Sequence, residues 1–270
     1  MKKTISVFIG SIIFLLLACN NQTDTQKAAT EANLVNIPQA EKELKQLIAQ
    51  YPDSFELKEN LVQYFKTNGN YSSAIAVTEN ALEKDNNNSR FLYIKAMLLS
   101  ENEDTLKAIT AWEELVAVQP SPDNLISLAT MYAFTKNPKT LPLADVILKV
   151  PNAKPQAMFI KGLYQSNIGN KTTAIKYFDS CLSDNYTYLF AYREKAICLY
   201  DTQQYLDALK TLELAVSINK GYEEAYYWMG KCFEKLNKKE QAIQNYQLAL
   251  QIDPNFIEAK DALGKLGFTQ

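Results

Sequence analysis

The chain has 270 residues and a formal net charge of −2, with 28 Lys and Arg against 30 Asp and Glu. Histidine is absent, which excludes Ser-His-Asp and Cys-His catalysis and every His-ligated metal site. Only eight glycines and two arginines, Arg90 and Arg193, leave little for Gly-rich phosphate loops and no basic footprint for nucleic acid.

Lys2 and Lys3 precede an apolar run from Ile5 to Ala18, broken only by Ser6, Gly10 and Ser11. A spanning helix needs about 20 apolar residues, so this run is short for one and instead fits the n-region and h-region of a secretory signal. Leu16-Leu17-Ala18-Cys19 resembles the bacterial lipobox. The resemblance implies that residues 1–18 are a cleaved lipoprotein signal peptide and that Cys19 is the lipid attachment site, carrying a covalent diacylglycerol and acyl lipid. An ordinary signal with a chance cysteine is the alternative. Asn20 after the cysteine, instead of Asp, resembles the outer-membrane sorting preference of well-studied bacteria. The expected localisation is therefore the bacterial cell envelope, lipid-anchored at the outer membrane and facing the periplasm. Residues 19–37 read as a lipidated polar tether with a coil span of roughly 20–25 Å. Losing Lys2 and Lys3 moves the net charge from −2 to −4, so no polybasic patch reinforces the anchor.

After the tether, Ala40, Leu44, Leu47 and Pro52 fit the second helix of a leading half-repeat. Unit 55–88 follows, with Leu61, Phe65, Ala74 and Ala81, and with Asn68-Gly69 at a turn that calls for φ > 0. Unit 89–121 carries Ala96, Leu99, Ala108, Trp112 and Pro120. Unit 122–154 is irregular: Leu125, Leu128, Ala129 and Tyr132 open it at helical spacing, but prolines 120, 122, 138, 142, 151 and 155 crowd it. Its second helix is predicted to shrink to about Leu143–Lys149, because proline cannot continue a helix. A hinge between two half-arrays and a rigid kink both fit this unit.

Unit 155–188 carries Gly162, Ala174, Phe178 and Cys181, with Ile168-Gly169 at its turn; unit 189–222 carries Tyr192, Ala196, Leu199, Ala208, Leu212 and Ala215. Unit 223–256 holds Tyr226, Met229, Gly230, Phe233, Ala242, Tyr246, Ala249 and Pro254, and residues 257–267 read as a lone capping helix. The late units superimpose at a shift of 34 residues, the mark of a helical-hairpin solenoid. Their pattern resembles the tetratricopeptide repeat, W-x2-L-G-x2-Y, then A-x3-F-x2-A, then Pro. The expected fold is all-α over residues 38–267: a right-handed superhelical solenoid of antiparallel helix pairs, with about six repeats, an N-terminal half-repeat and a C-terminal capping helix. Lys195 departs from the pattern where a large apolar residue is usual. Cys198, Cys232 and Cys181 take places of small residues and read as buried structural thiols.

In proteins of this family, places 2, 5, 9, 12 and 13 of each unit's first helix line a concave groove. Glu56, Glu59, Gln63, Lys66 and Thr67 make the first unit polar there, whereas the middle units are apolar. The expected protein-binding groove is Ile126, Phe134, Phe159, Leu163, Phe190, Ile197 and Tyr200, with Tyr227 in the charged last unit. Arg193, beside Asp201, is expected to fix a ligand's polar groups. Tight curvature, or Leu34-Val35-Asn36-Ile37 folding back, would instead cover these residues within the chain. Place 9 reads Gln63, Met97, Thr130, Leu163, Ile197 and Lys231, so the family's carboxylate clamp is missing.

The expected function is a lipid-anchored adaptor or scaffold for protein–protein interaction, binding a segment of one or more envelope proteins in its groove. Apart from the lipid on Cys19, no cofactor, metal, catalytic residue or nucleic acid is expected. A structural homo-oligomer, pairing through the apolar groove or the end helices, is the second reading. An enzyme or solute-binding lipoprotein would need a convergent polar pocket that the sequence does not display.

Overall fold

The computed structural model describes residues 37–268, and these are helical with no strand among them. The predicted signal peptide, Cys19 and all of the tether but Ile37 lie outside the described residues. Among the described residues fourteen helices run in order: α1 Ile37–Gln50, α2 Phe55–Thr67, α3 Tyr71–Lys84, α4 Ser89–Glu101, α5 Thr105–Val118, α6 Pro122–Phe134, α7 Thr140–Ile147, α8 Lys154–Asn167, α9 Lys171–Asp184, α10 Leu189–Asp201, α11 Tyr205–Ile218, α12 Glu223–Lys235, α13 Lys239–Ile252 and α14 Ile257–Lys265. None of them is long and apolar enough to cross a membrane. The chain divides into two compact units between Met131 and Tyr132, inside α6.

Each complete hairpin closes on the same internal register. Counting from the first residue of each unit, places 20, 24 and 27 of the second helix are fully buried: Ala74, Thr78 and Ala81; Ala108, Trp112 and Leu115; Ala174, Phe178 and Cys181; Ala208, Leu212 and Ala215; Ala242, Tyr246 and Ala249. The ring at place 24 lies against place 8 of the paired first helix. A methyl group built on Gly162 would stand 2.5 Å from Phe178, and one on Gly230 would stand 2.5 Å from Tyr246. Glycine at those two places lets an aromatic ring fill the gap between paired helices, where any larger residue would overpack it. Unit 89–121 has Ala96 and Trp112 at these two places, both fully buried, and the Trp112 indole N–H donates to Ser100 Oγ at 3.1 Å.

The turns between paired helices all use one left-handed residue. Gly69 (φ 70°) and Gly169 (φ 96°) supply it as the sequence predicts, while Glu103, Lys136, Gln203 and Asn237 adopt it at φ 57–63°. Helix starts differ between the units. Ser54, Asn70, Asn88 and Asp104 accept a backbone N–H at the starts of α2, α3, α4 and α5. The N-caps of α10, α12 and α14 are Tyr188, Tyr222 and Phe256, which make no side-chain cap bond. A polar cap is worth about 1 kcal/mol. These aromatics give that up and pack into the core instead.

The second helix of the irregular unit is longer at its start than predicted. α7 begins at Thr140 and carries Pro142 in its first turn. The first three N–H groups of a helix have no acceptor within the helix, so a proline there removes no intrahelical bond. Leu143, directly after it, makes the first i→i−4 bond, to Lys139 O at 3.2 Å.

Lys195 also has a physical account. Its Nζ reaches Asp179 Oδ1 at 2.6 Å on the preceding helix α9, and Lys161, at the same place one unit earlier, reaches Asp145 Oδ1 at 2.5 Å on α7. Both lysines bury their stems where the family carries an apolar residue and keep only the ammonium near water. They tie successive hairpins together with charge as well as packing.

Lys58 has no such acceptor. It takes place 4, held by Leu92, Leu125, Tyr192 and Tyr226 in other units, and it is buried. Its ammonium has no hydrogen-bond partner and lies 5.9 Å from the Phe55 ring centre. Burial, followed by the charge of Lys84, lowers its pKa from the ordinary lysine value. The folded state therefore holds this proton less tightly than the unfolded chain, and stability rises as pH climbs from the folded pKa toward the unfolded one. Lys58→Met is expected to stabilise the protein by about 1 kcal/mol or more near neutral pH. Thermal unfolding of both proteins at pH 7 and pH 10 checks this, since the gap should narrow at the higher pH.

Candidate protein-binding surface

The predicted groove residues separate into two groups. Phe159 and Leu163 are core, at 2% and 1% exposure, and Ile126 is also buried. The Phe159 ring packs 5.8 Å from Phe178 and 5.0 Å from Tyr188, centre to centre. These positions correct the expectation of an open apolar face. The large residue at place 24 reaches across to place 5, and the aromatic N-cap of the next helix closes over it, so no side of Phe159 is left for a ligand.

Phe190, Ile197, Tyr200, Tyr227 and Phe134 are half-buried. Tyr200 stands edge-on to Tyr205 (5.4 Å) and Trp228 (5.5 Å). Tyr227 continues the row against Trp228 (5.7 Å), Tyr246 (5.8 Å) and Phe256 (5.3 Å). Edge-on and tilted ring contacts of this kind add about 0.5–1.5 kcal/mol each beyond area burial, which favours this arrangement of the row. Burial pushes the Tyr200 phenol up to about 12 and raises that of Tyr227 as well, so both stay protonated donors through the physiological range.

Arg193 is not available to a ligand, nor does it pair with Asp201. It is 1% exposed, and its Nε and Nη2 donate to Glu194 Oε1 at 3.2 and 3.0 Å. Nη1 donates to Glu224 Oε2 on α12, and the guanidinium lies 5.2 Å from the Phe190 ring centre. Burial by itself would lower the Arg193 pKa; Tyr222 and the two carboxylates more than offset it and leave it raised. Asp201 is taken by Lys171 at 2.8 Å. Glu234, further along α12, accepts the hydroxyl proton of buried Tyr246. The surface on α10 and α12 is thus an aromatic row set among carboxylates that the core holds in place.

The comparable face of unit one is laced by ion pairs at the same register. Arg90 pairs with Glu59, and Lys66 with Glu101 at 2.7 Å. The cysteines carry no chemistry at this surface. Cys181, Cys198 and Cys232 are unpaired and buried. Burial raises their pKa to about 12, 11 and 12 respectively, which keeps them as protonated thiols. Among the described residues, no group of three His, Cys, Asp or Glu is placed to hold a metal ion.

Sequence reasoning missed Tyr188, Tyr222, Phe256 and Trp228 as parts of this surface. The first three recur at a spacing of 34, a visible signal, but they fall in connections and read as loop residues. The Glu194–Arg193–Glu224 cluster had no signal, because it joins neighbours on one helix to a residue on the next.

Comparison with known proteins agrees with this geometry. Residues 223–256 match a tetratricopeptide repeat family model, and residues 60–125 match a second one. No curated protein matches the sequence of the chain. Among solved structures, a tetratricopeptide repeat protein from Parabacteroides merdae is similar over 90% of this chain and 97% of its own, with 20% identity and a TM-score of 0.70. PilW, described as a widely conserved type IV pilus biogenesis factor, is similar over 77% of this chain and 97% of its own, with 18% identity and a TM-score of 0.60. The APC/C hetero-tetramer Cut9–Hcn1 offers a third similar chain, over 84% of this one and 46% of that one, with 15% identity and a TM-score of 0.58. At these identities the likeness is one of fold.

Proposed function

We propose, from the premise that this chain is a tetratricopeptide repeat protein, that the face of α10 and α12 receives a segment of a partner protein. Such proteins generally mediate protein–protein interaction, and their scaffold is typically non-catalytic. The observation that carries this reading is the set Phe190, Ile197, Tyr200 and Tyr227, left half open among fixed carboxylates. Completing the burial of a large apolar side chain is worth up to about 1.5–3 kcal/mol, and fixed charges set the register of what binds. The anchors are thus fewer than the sequence suggests, and they are aromatic.

The finer reading is an adaptor in the bacterial cell envelope, held by a lipid on Cys19 at the outer membrane and facing the periplasm, with an envelope protein as partner. It rests on Leu16-Leu17-Ala18-Cys19 and Asn20. The lipid is the one non-protein group it requires.

Two measurements test it. Cys19→Ser should move the chain from the membrane fraction to the soluble one; retention in the membrane would sink the anchor. Ile197→Glu should cut recovery of the crosslinked partner by about tenfold, equivalent to about 1.4 kcal/mol, while circular dichroism and melting temperature stay close to wild type. Undiminished recovery would show that the partner binds elsewhere.

A further inference from the structure

The half-open rings on the face of α10 and α12 differ in what lies over them. Phe190 has the Arg193 guanidinium 5.2 Å from its centre, and Tyr200 has Lys231 Nζ at 6.0 Å. The face of an aromatic ring carries negative charge density, so each of these rings attracts a cation that the chain supplies. Tyr227, next in the row, has none among the described residues. Rings flank it instead: Trp228, Tyr246 and Phe256 lie 5.7, 5.8 and 5.3 Å away, centre to centre. It stays half-buried, so part of Tyr227 still meets water.

The charges that act on Tyr227 are of one sign. Glu234, also on α12, accepts the hydroxyl proton of Tyr246 and is thereby fixed beside the row. Glu258 and Asp261 stand at places 2 and 5 of α14, just beyond Phe256, and both are exposed. Burial raises the Tyr227 pKa, and Glu258, Glu234 and Asp261 raise it further. No lysine offsets them, although Lys231 and Lys235 share its helix and Lys265 lies on α14. Glu258 and Asp261 have no ion-pair partner among the described residues. On unit one the corresponding carboxylates, Glu59 and Glu101, are taken by Arg90 and Lys66.

We infer, on the reading that this face receives a partner segment, that the segment anchors on Tyr227 with a basic side chain, Arg or Lys. Its charge is balanced by Glu234, Glu258 and Asp261, and its apolar neighbours reach Tyr200 and Ile197. The partner supplies to Tyr227 the cation that the chain itself supplies to Phe190 and Tyr200. An acidic segment would set like charges against three carboxylates, and a wholly apolar one would strip water from them without return. Arginine fits better than lysine, because a flat guanidinium stacks on a ring and still donates to a carboxylate.

The test uses the full chain in detergent and, as probe, a display library of random linear peptides. The expected result is a selected set with Arg or Lys at one fixed distance from an apolar residue. Replacing a selected Arg by citrulline, which keeps its shape without its charge, should weaken binding by about tenfold. Glu258→Gln together with Asp261→Asn should weaken the same peptides by a similar factor. Both side chains are exposed, so circular dichroism should stay that of the parent chain. Glu234 is kept, because buried Tyr246 depends on it. Suppose instead that the selected peptides are acidic or wholly apolar, or ignore the changes at Glu258 and Asp261, yet are lost with Ile197→Glu. That would overturn this inference and leave the docking face standing. No selected peptides, or a set that Ile197→Glu leaves undisturbed, would overturn both.

Discussion

Arg193→Met is expected to destabilise the protein by about 3 kcal/mol, the low end of what removing one partner of a buried ion pair costs. The low end applies because the orphaned carboxylates of Glu194 and Glu224 keep 16% and 21% side-chain exposure and recover some hydration. Adding Glu194→Gln and Glu224→Gln should recover most of the loss, because the side chains left beside the new methionine are then uncharged. Urea denaturation of the three proteins at pH 7 measures this; a loss that the double replacement does not repair would mean that Arg193 acts by packing alone.

Phe159→Ser and Leu163→Ser should each unfold or severely weaken the compact unit that runs from Tyr132 to Gln270, with no specific effect on partner capture. Truncating a buried Phe to Ala costs about 3–5 kcal/mol and a buried Leu about 2–5, and serine adds an unsatisfied hydroxyl. The second effect separates two views of one pair of residues. As groove anchors they would leave melting unchanged and abolish binding; as core they lower the melting temperature first. Phe159, wedged between Phe178 and Tyr188, is expected to follow the second course. A Phe159→Ser protein that melts like wild type yet loses its partner would restore the apolar groove.

The contrast between Phe159 and Ile197 shows where the sequence is legible. Both stand on the face that family members turn toward ligands, and both are apolar. Their exposure differs because of what reaches them. Phe178 and Tyr188 cover Phe159, whereas Ile197 stays half-buried. Arg193 and Lys195 make the same point for charge. Lys195 reads as an exception to the pattern until Asp179 on the preceding helix is seen to receive it. Arg193 reads as a free cation until Glu224, 31 residues on, arrives beside it.

By itself, the sequence determined the hairpins, their 34-residue register, the small residues at places 8 and 20, and the glycines at the Gly69 and Gly169 turns. These follow from helical periodicity and backbone sterics, which act over a few residues and repeat with each unit. Only the tertiary structure decided which apolar residues remain open and which charges are neutralised. Exposure belongs to a residue's neighbours in space, and across stacked hairpins those neighbours lie some 30 residues away, where no local pattern records them.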